Sequence, residues 1–208
     1  MAPPRFVLHH APRSRSDRMR WLLEEAGAAY EIVPHDFEKG TQKAPDFLAL
    51  NPLGKVPVLV DRGPDGTWAD AVVTESAAIA AYVADVLPDS GLAPMPGTSE
   101  RAHYARWMGY CPSVLEPAFA DEVFPRREPP PARALGWPSA AVAVDVVEQR
   151  LAASPFLAGA TFSAADLMVG GMLRWLVAWG KLTPGPATAK YLDVLGARPA
   201  LARSMPSI

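Results

Sequence analysis

The chain has 208 residues, half of them hydrophobic, a formal net charge of −2 and a single cysteine, Cys111. That is enough chain for a sizeable core in one or two domains, and the near-neutral balance argues against a nucleic-acid partner. One cysteine excludes an internal disulfide framework and a cysteine metal cluster, no run approaches the ~18 apolar residues of a membrane span, and no targeting segment is seen, so a cytoplasmic protein with no metal and no membrane contact is expected.

In chain order, "RFVLHH" (5–10) reads as a short strand. Met19, Leu22, Leu23 and Ala26 then fall at helical spacing, and Gly27 stops the helix. "AYEIVPHDF" (29–37) reads as a second strand and "APDFLALNP" (44–52) as a short helix closed by proline. Pro57 heads the apolar triplet Val58-Leu59-Val60; lacking an N–H, it suits a first strand position, an edge or a bulge. Gly63-Pro64-Asp65-Gly66 is turn chemistry, and Thr67-Trp68-Ala69 can return as the partner strand. From Glu75, the residues Ile79, Val83, Val86 and Leu87 mark a helix face that runs to Pro88. The order βαβαββα over residues 1–87 implies a parallel strand pair with an antiparallel hairpin added at its edge.

Residues 88–98 have the composition of a linker, and residues 99–208 read as an all-α domain. Its helices are expected over 99–124, 139–154, 162–182 and 187–205, with a proline-rich loop at 125–138. In "FSAADL", Ser163 and Asp166 are spaced for a capping box, each side chain taking the other's backbone N–H. That accounts for Asp166 structurally, without a catalytic role.

"NPLGKVPVL", then "TES" before an apolar helix, then "PFLAG…FSAADL" resemble the cytosolic glutathione transferases, in particular bacterial members of the serine or cysteine type. The resemblance spans nearly the whole chain. It implies an N-terminal thioredoxin-like α/β domain followed by an all-α helical domain, with glutathione as co-substrate. It also implies a cis Val56–Pro57 bond, which would turn the backbone of Val56 out of the sheet to pair with the cysteinyl part of glutathione, as in strand addition. Ser76 would hold the γ-glutamyl carboxylate at a helix N-terminus, Glu75 the ammonium, and Lys55 the glycyl carboxylate. On the bare residues, Thr74 or Ser76 can equally cap the helix that follows.

Family members place a Tyr, Ser or Cys near the start of the first helix. Here "HAPRSRSDRMR" offers Ser14 and Ser16; counting back from the helix selects Ser14, with Ser16 as the alternate and as an N-cap candidate. Arg13 and Arg15 flank the site and either support a thiolate or are solvated loop residues. A bound thiol, ordinarily titrating near 8.5, would be activated by a hydroxyl donor and attack a hydrophobic electrophile. That second substrate would meet Tyr104, Trp107, Met108 and Glu116, which at helical spacing can also be plain core. The resemblance further implies a homodimer. The alternatives are a glutathione-dependent isomerase, dehalogenase or peroxidase on the same fold, or a non-catalytic glutathione- or protein-binding member.

Overall fold

Hydrophobic patterning and turn chemistry place a four-stranded sheet in the first part of the computed structural model, which describes residues 3–68, 71–128 and 130–204. The strands are β1 (Phe6–His10), β2 (Tyr30–Pro34), β3 (Val58–Asp61) and β4 (Ala71–Thr74), in spatial order β2-β1-β3-β4. β1 pairs parallel with β2, Phe6 opposite Tyr30, and antiparallel with β3, Leu8 opposite Leu59. β3 and β4 pair antiparallel. The central strands β1 and β3 are buried along their whole length, as near-continuous apolar runs require, whereas the edge strands β2 and β4 are half open.

Helix α1 (Ser16–Glu25) follows β1, α2 (Pro45–Leu50) precedes β3, and α3 (Ser76–Val86) follows β4. Two strands differ from the sequence reading. β2 stops at Pro34 because Asp36 turns its carboxylate onto the N–H groups of Glu38 and Lys39, which starts a turn. The return strand begins at Ala71 and not at Thr67, because the Asp65 carboxylate takes both the N–H and the hydroxyl of Thr67, and the Trp68 N–H goes back to the Arg62 carbonyl. Ala69 lies outside the described residues.

The second part is helical: α4 (Ser99–Tyr110), α5 (Glu116–Val123), α6 (Ala140–Ala153), α7 (Ala164–Ala178) and α8 (Pro186–Gly196), with α9 (Pro199–Ser204) ending the described chain. The expected single helix over 99–124 is broken by a wide π turn at Cys111–Leu115. Pro112 and Pro117 lack the N–H groups a regular ladder needs, and the Ser113 hydroxyl takes up the Gly109 carbonyl at 2.6 Å. Pro199 likewise separates α8 from α9.

Residues up to Gly91, together with the segment from Pro199, form one compact unit, and Leu92–Arg198 form the other. The 99–208 boundary therefore needs correction at its end. α9 belongs with the sheet unit, where it packs on α1 and Arg203 pairs with Glu24 at 2.7 Å. The 88–98 stretch also divides: Pro88–Ser90 closes the first unit, whereas Leu92 is buried and its carbonyl accepts the Ala164 N–H in the second.

Candidate functional site

Three loops of the sheet unit carry the residues expected to act. The first leaves β1 and turns sharply into α1. Arg13 takes φ +59°, a left-handed conformation uncommon outside glycine. Ser14 Oγ accepts the Ser16 N–H at 3.1 Å and lies 2.6 Å from Ser16 Oγ. The hydroxyl that satisfies the first free N–H of α1 is thus that of Ser14. The N-cap position belongs to Arg15, and Ser16 is the first helical residue, so Ser16 is not the N-cap.

Ser16 is fully buried. Its Oγ is 2.8 Å from His10 Nδ1, accepts the Ala11 N–H at 3.1 Å and sits 3.1 Å from the Ala11 carbonyl. Enclosed in this way it has no face for a ligand, whereas Ser14 is half-exposed, and Arg13 and Arg15 are exposed. Burial lowers the His10 pKa to about 4, with the positive Arg20 adding to the effect, so its imidazole is neutral near pH 7. Asp17 Oδ1 stands 3.7 Å from His10 Nε2. Burial pushes the Asp17 carboxyl up, against backbone N–H groups of Ser14 and Arg13 that stabilise its anion.

The second loop is braced by Asn51, a residue the sequence reading passed over. Its amide donates to the Lys55 carbonyl at 2.9 Å, and its side-chain oxygen accepts the Leu53 N–H at 3.2 Å. Gly54 adopts φ +60°, and a Cβ there would lie 2.8 Å from Lys43 Cδ, 2.5 Å from its Nζ and 2.9 Å from the Gln42 carbonyl, so a glycine is required. The brace delivers an exposed Lys55 and a buried Val56, whose bond to Pro57 is cis. Val56 packs with Ala11, Phe47 and Val58, which ties this loop to the start of the serine loop. Among the described residues no hydrogen bond uses the Val56 N–H or carbonyl.

The third element is the start of α3. Glu75 occupies the N-cap position at φ +68°, ψ +121°, a non-glycine residue held in strained backbone, and its side chain caps nothing. Ser76 is the first helical residue, close to the free N–H groups of the helix start. No side chain caps the start of α3, so the capping role open to Ser76 is not used.

Elsewhere the placement is structural. Tyr104, Trp107 and Met108 are 3%, 0% and 6% exposed in the helical unit. The Trp107 ring meets Tyr110 edge-on at 4.9 Å and lies under the Arg106 guanidinium, and Arg101 stands over Tyr104. These three act as core, which corrects their expected role as an open substrate face; aromatic spacing on a helix does not distinguish the two. Glu116 is half-buried. Asp166 is buried and accepts from the Leu157 N–H, the Ser163 N–H, the Ser163 hydroxyl and the Tyr191 hydroxyl at 2.8–3.1 Å. Among the described residues no cluster of His, Cys, Asp or Glu is arranged to hold a metal, and no helix is long and apolar enough to cross a membrane.

The chain matches the family models for the glutathione S-transferase N-terminal domain over residues 5–85 and the C-terminal domain over 130–203. It is 32% identical to glutathione S-transferase 3 of Zea mays, covering 92% of this chain and 88% of that protein. It is 28% identical to the disulfide-bond oxidoreductase YfcG of Escherichia coli, over 95% and 93%. The glutathione transferase URE2P8 of Phanerochaete chrysosporium, solved with oxidized glutathione, superposes with a TM-score of 0.80 at 27% identity, over 98% of this chain and 94% of that one.

Proposed function

We infer that this chain, which belongs to the glutathione S-transferase family, binds glutathione in its sheet unit and activates the thiol for transfer to a hydrophobic electrophile. The observation that carries the reading is the Ser14 hydroxyl, kept half-exposed at the start of α1 beside a serine that burial removes from contact. Unpaired groups on the neighbouring loops support it. The Val56 N–H and carbonyl would pair with the cysteinyl backbone of glutathione. Ser76 and the start of α3 would hold its γ-glutamyl carboxylate, Glu75 its ammonium, and Lys55 its glycyl carboxylate.

The Ser14 hydroxyl then donates to the sulfur. A free thiol near 8.5 is only a few per cent thiolate at neutral pH, and a two-unit drop needs about 2.7 kcal/mol of preferential stabilisation. One or two charge-assisted hydrogen bonds supply that amount, with Arg13 and Arg15 adding positive charge nearby. The thiolate forms a bond to the electrophilic carbon, and the leaving group departs with its electron pair. Of the positions expected to meet the electrophile, Glu116 alone is not fully buried. We place the protein in the cytoplasm as a homodimer, with the sheet unit for glutathione and the helical unit for the second substrate.

The test is the ultraviolet absorbance of glutathione thiolate on the protein across pH, together with conjugation of an activated aryl halide. Ser14→Ala should lower the conjugation rate at least about tenfold, the worth of one hydrogen bond to a charged sulfur. A rate within that margin of the parent overturns the assignment. Likeness to the Escherichia coli oxidoreductase favours disulfide exchange by the same thiolate as the second reading; turnover of a mixed disulfide without aryl-halide conjugation would select it. Sedimentation at 22.3 kDa would overturn the dimer.

A further inference from the structure

We propose that His10 is a positioning residue for the thiol chemistry, acting through Ser16 to aim the proton of the Ser14 hydroxyl outward. The proposal rests on Ser14 being the activating hydroxyl and adds a device beneath it.

The argument is a proton count. The chain runs His10 Nδ1, Ser16 Oγ at 2.8 Å, then Ser14 Oγ at 2.6 Å. Each hydroxyl has one proton to give and two lone pairs to fill. One lone pair of Ser16 is taken by the Ala11 N–H, and one lone pair of Ser14 by the Ser16 N–H. His10 is neutral near pH 7 and carries a single N–H. With that proton on Nδ1, the second lone pair of Ser16 is filled as well. Ser16 must then donate, and Ser14 Oγ at 2.6 Å is closer than the Ala11 carbonyl at 3.1 Å. Both lone pairs of Ser14 are thereby occupied, and its own proton can go only to a group from outside the chain.

With the proton on Nε2 the order reverses. Ser16 would donate to His10, Ser14 would donate to Ser16, and Ser14 would face a ligand with a lone pair, the wrong polarity for a thiolate. Asp17 Oδ1, 3.7 Å from Nε2, is beyond direct hydrogen-bond reach, whereas Nδ1 has a partner at 2.8 Å in Ser16 Oγ, and the proposal assigns the proton to Nδ1. The charged groups facing the ring are Asp17 and Arg20, on α1. Three donors in series also polarise one another, so the outermost hydroxyl becomes a stronger donor than a lone serine.

The experiment is the titration of glutathione thiolate bound to the full chain in four proteins: parent, His10→Ala, His10→Asn and Ser14→Ala. Asparagine places an amide N–H where Nδ1 stands and offers nothing at Nε2. His10→Ala should reduce the thiolate-to-thiol ratio about fivefold, the worth of one neutral hydrogen bond. Affinity for glutathione at pH values where the thiol is protonated should stay unchanged, and His10→Asn should restore the ratio. A purely structural histidine would not give this split. If Ser14→Ala shifts the titration and His10→Ala does not, or if His10→Asn titrates like His10→Ala, the proposal is overturned. Should His10→Ala fail to fold, the comparison of His10→Asn with His10→Gln, whose N–H lies at the Nε2 position, decides it: equal titrations overturn the proposal. If Ser14→Ala itself has no effect, the failure lies in the parent reading.

Discussion

The starts of α1 and α7 are built from the same residue types and have opposite fates. At α7, Ser163 and Asp166 are sealed in the helical unit, and the carboxylate collects four donors from Leu157, Ser163 and Tyr191. At α1, Ser14, Ser16 and Asp17 make a similar polar cluster, but its outer member is half-exposed and retains capacity for one more bond. Local capping chemistry is common to both. Burial of every member yields a structural brace, and exposure of one member leaves a hydroxyl open to the outside.

The sharpest way to break the contrast is Asp166→Ala. It orphans buried N–H groups of Leu157 and Ser163, each worth about 1–3 kcal/mol, so a total loss of roughly 4 kcal/mol should appear as a lower denaturant midpoint. Retention of parental stability would mean that the cluster is no brace.

The next effect is in pH. His10 has a folded pKa of about 4 against an ordinary 6.5, so between those values the unfolded chain binds the extra proton. Stability therefore falls as pH drops from 6.5 toward 4, by up to about 3 kcal/mol from this residue. Urea unfolding at several pH values should show that slope, and His10→Asn should remove this residue's share of it and leave the share of His9, whose burial also lowers its pKa to about 4.

Ser14→Ala should then separate the two clusters by function. Its cost to stability should stay near 1 kcal/mol, that of a lost cap, while conjugation falls at least tenfold. A larger stability loss than rate loss would make α1 a second α7. The smallest effect is expected at α3: Ser76→Ala should weaken glutathione binding about fivefold, read by calorimetry, with the thiol titration unmoved.

Much of this molecule is legible in one dimension. The βαβαββα order and the helical second half follow from periodicity and turn residues, because those signals are local, whereas the interest of the loops bearing Ser14, Val56 and Glu75–Ser76 comes from the resemblance their motifs carry. The spacing of Ser163 and Asp166 foretold the Asp166-to-Ser163 N–H bond for the same reason. Other features depend on which residues become neighbours across the fold. No local rule says that Ser16 is buried against His10, six residues earlier, while Ser14 stays half-exposed. Nor does spacing reveal that Trp107 is core, that Asn51 braces the Lys55 loop or that α9 returns to pack on α1. The sequence by itself determined most of the elements, since propensity and patterning act within a few residues, and its motifs carried the family resemblance that singles out the three loops proposed as the site. Only the tertiary structure decided which polar groups are enclosed and which are left open, since burial depends on segments brought together from distant parts of the chain.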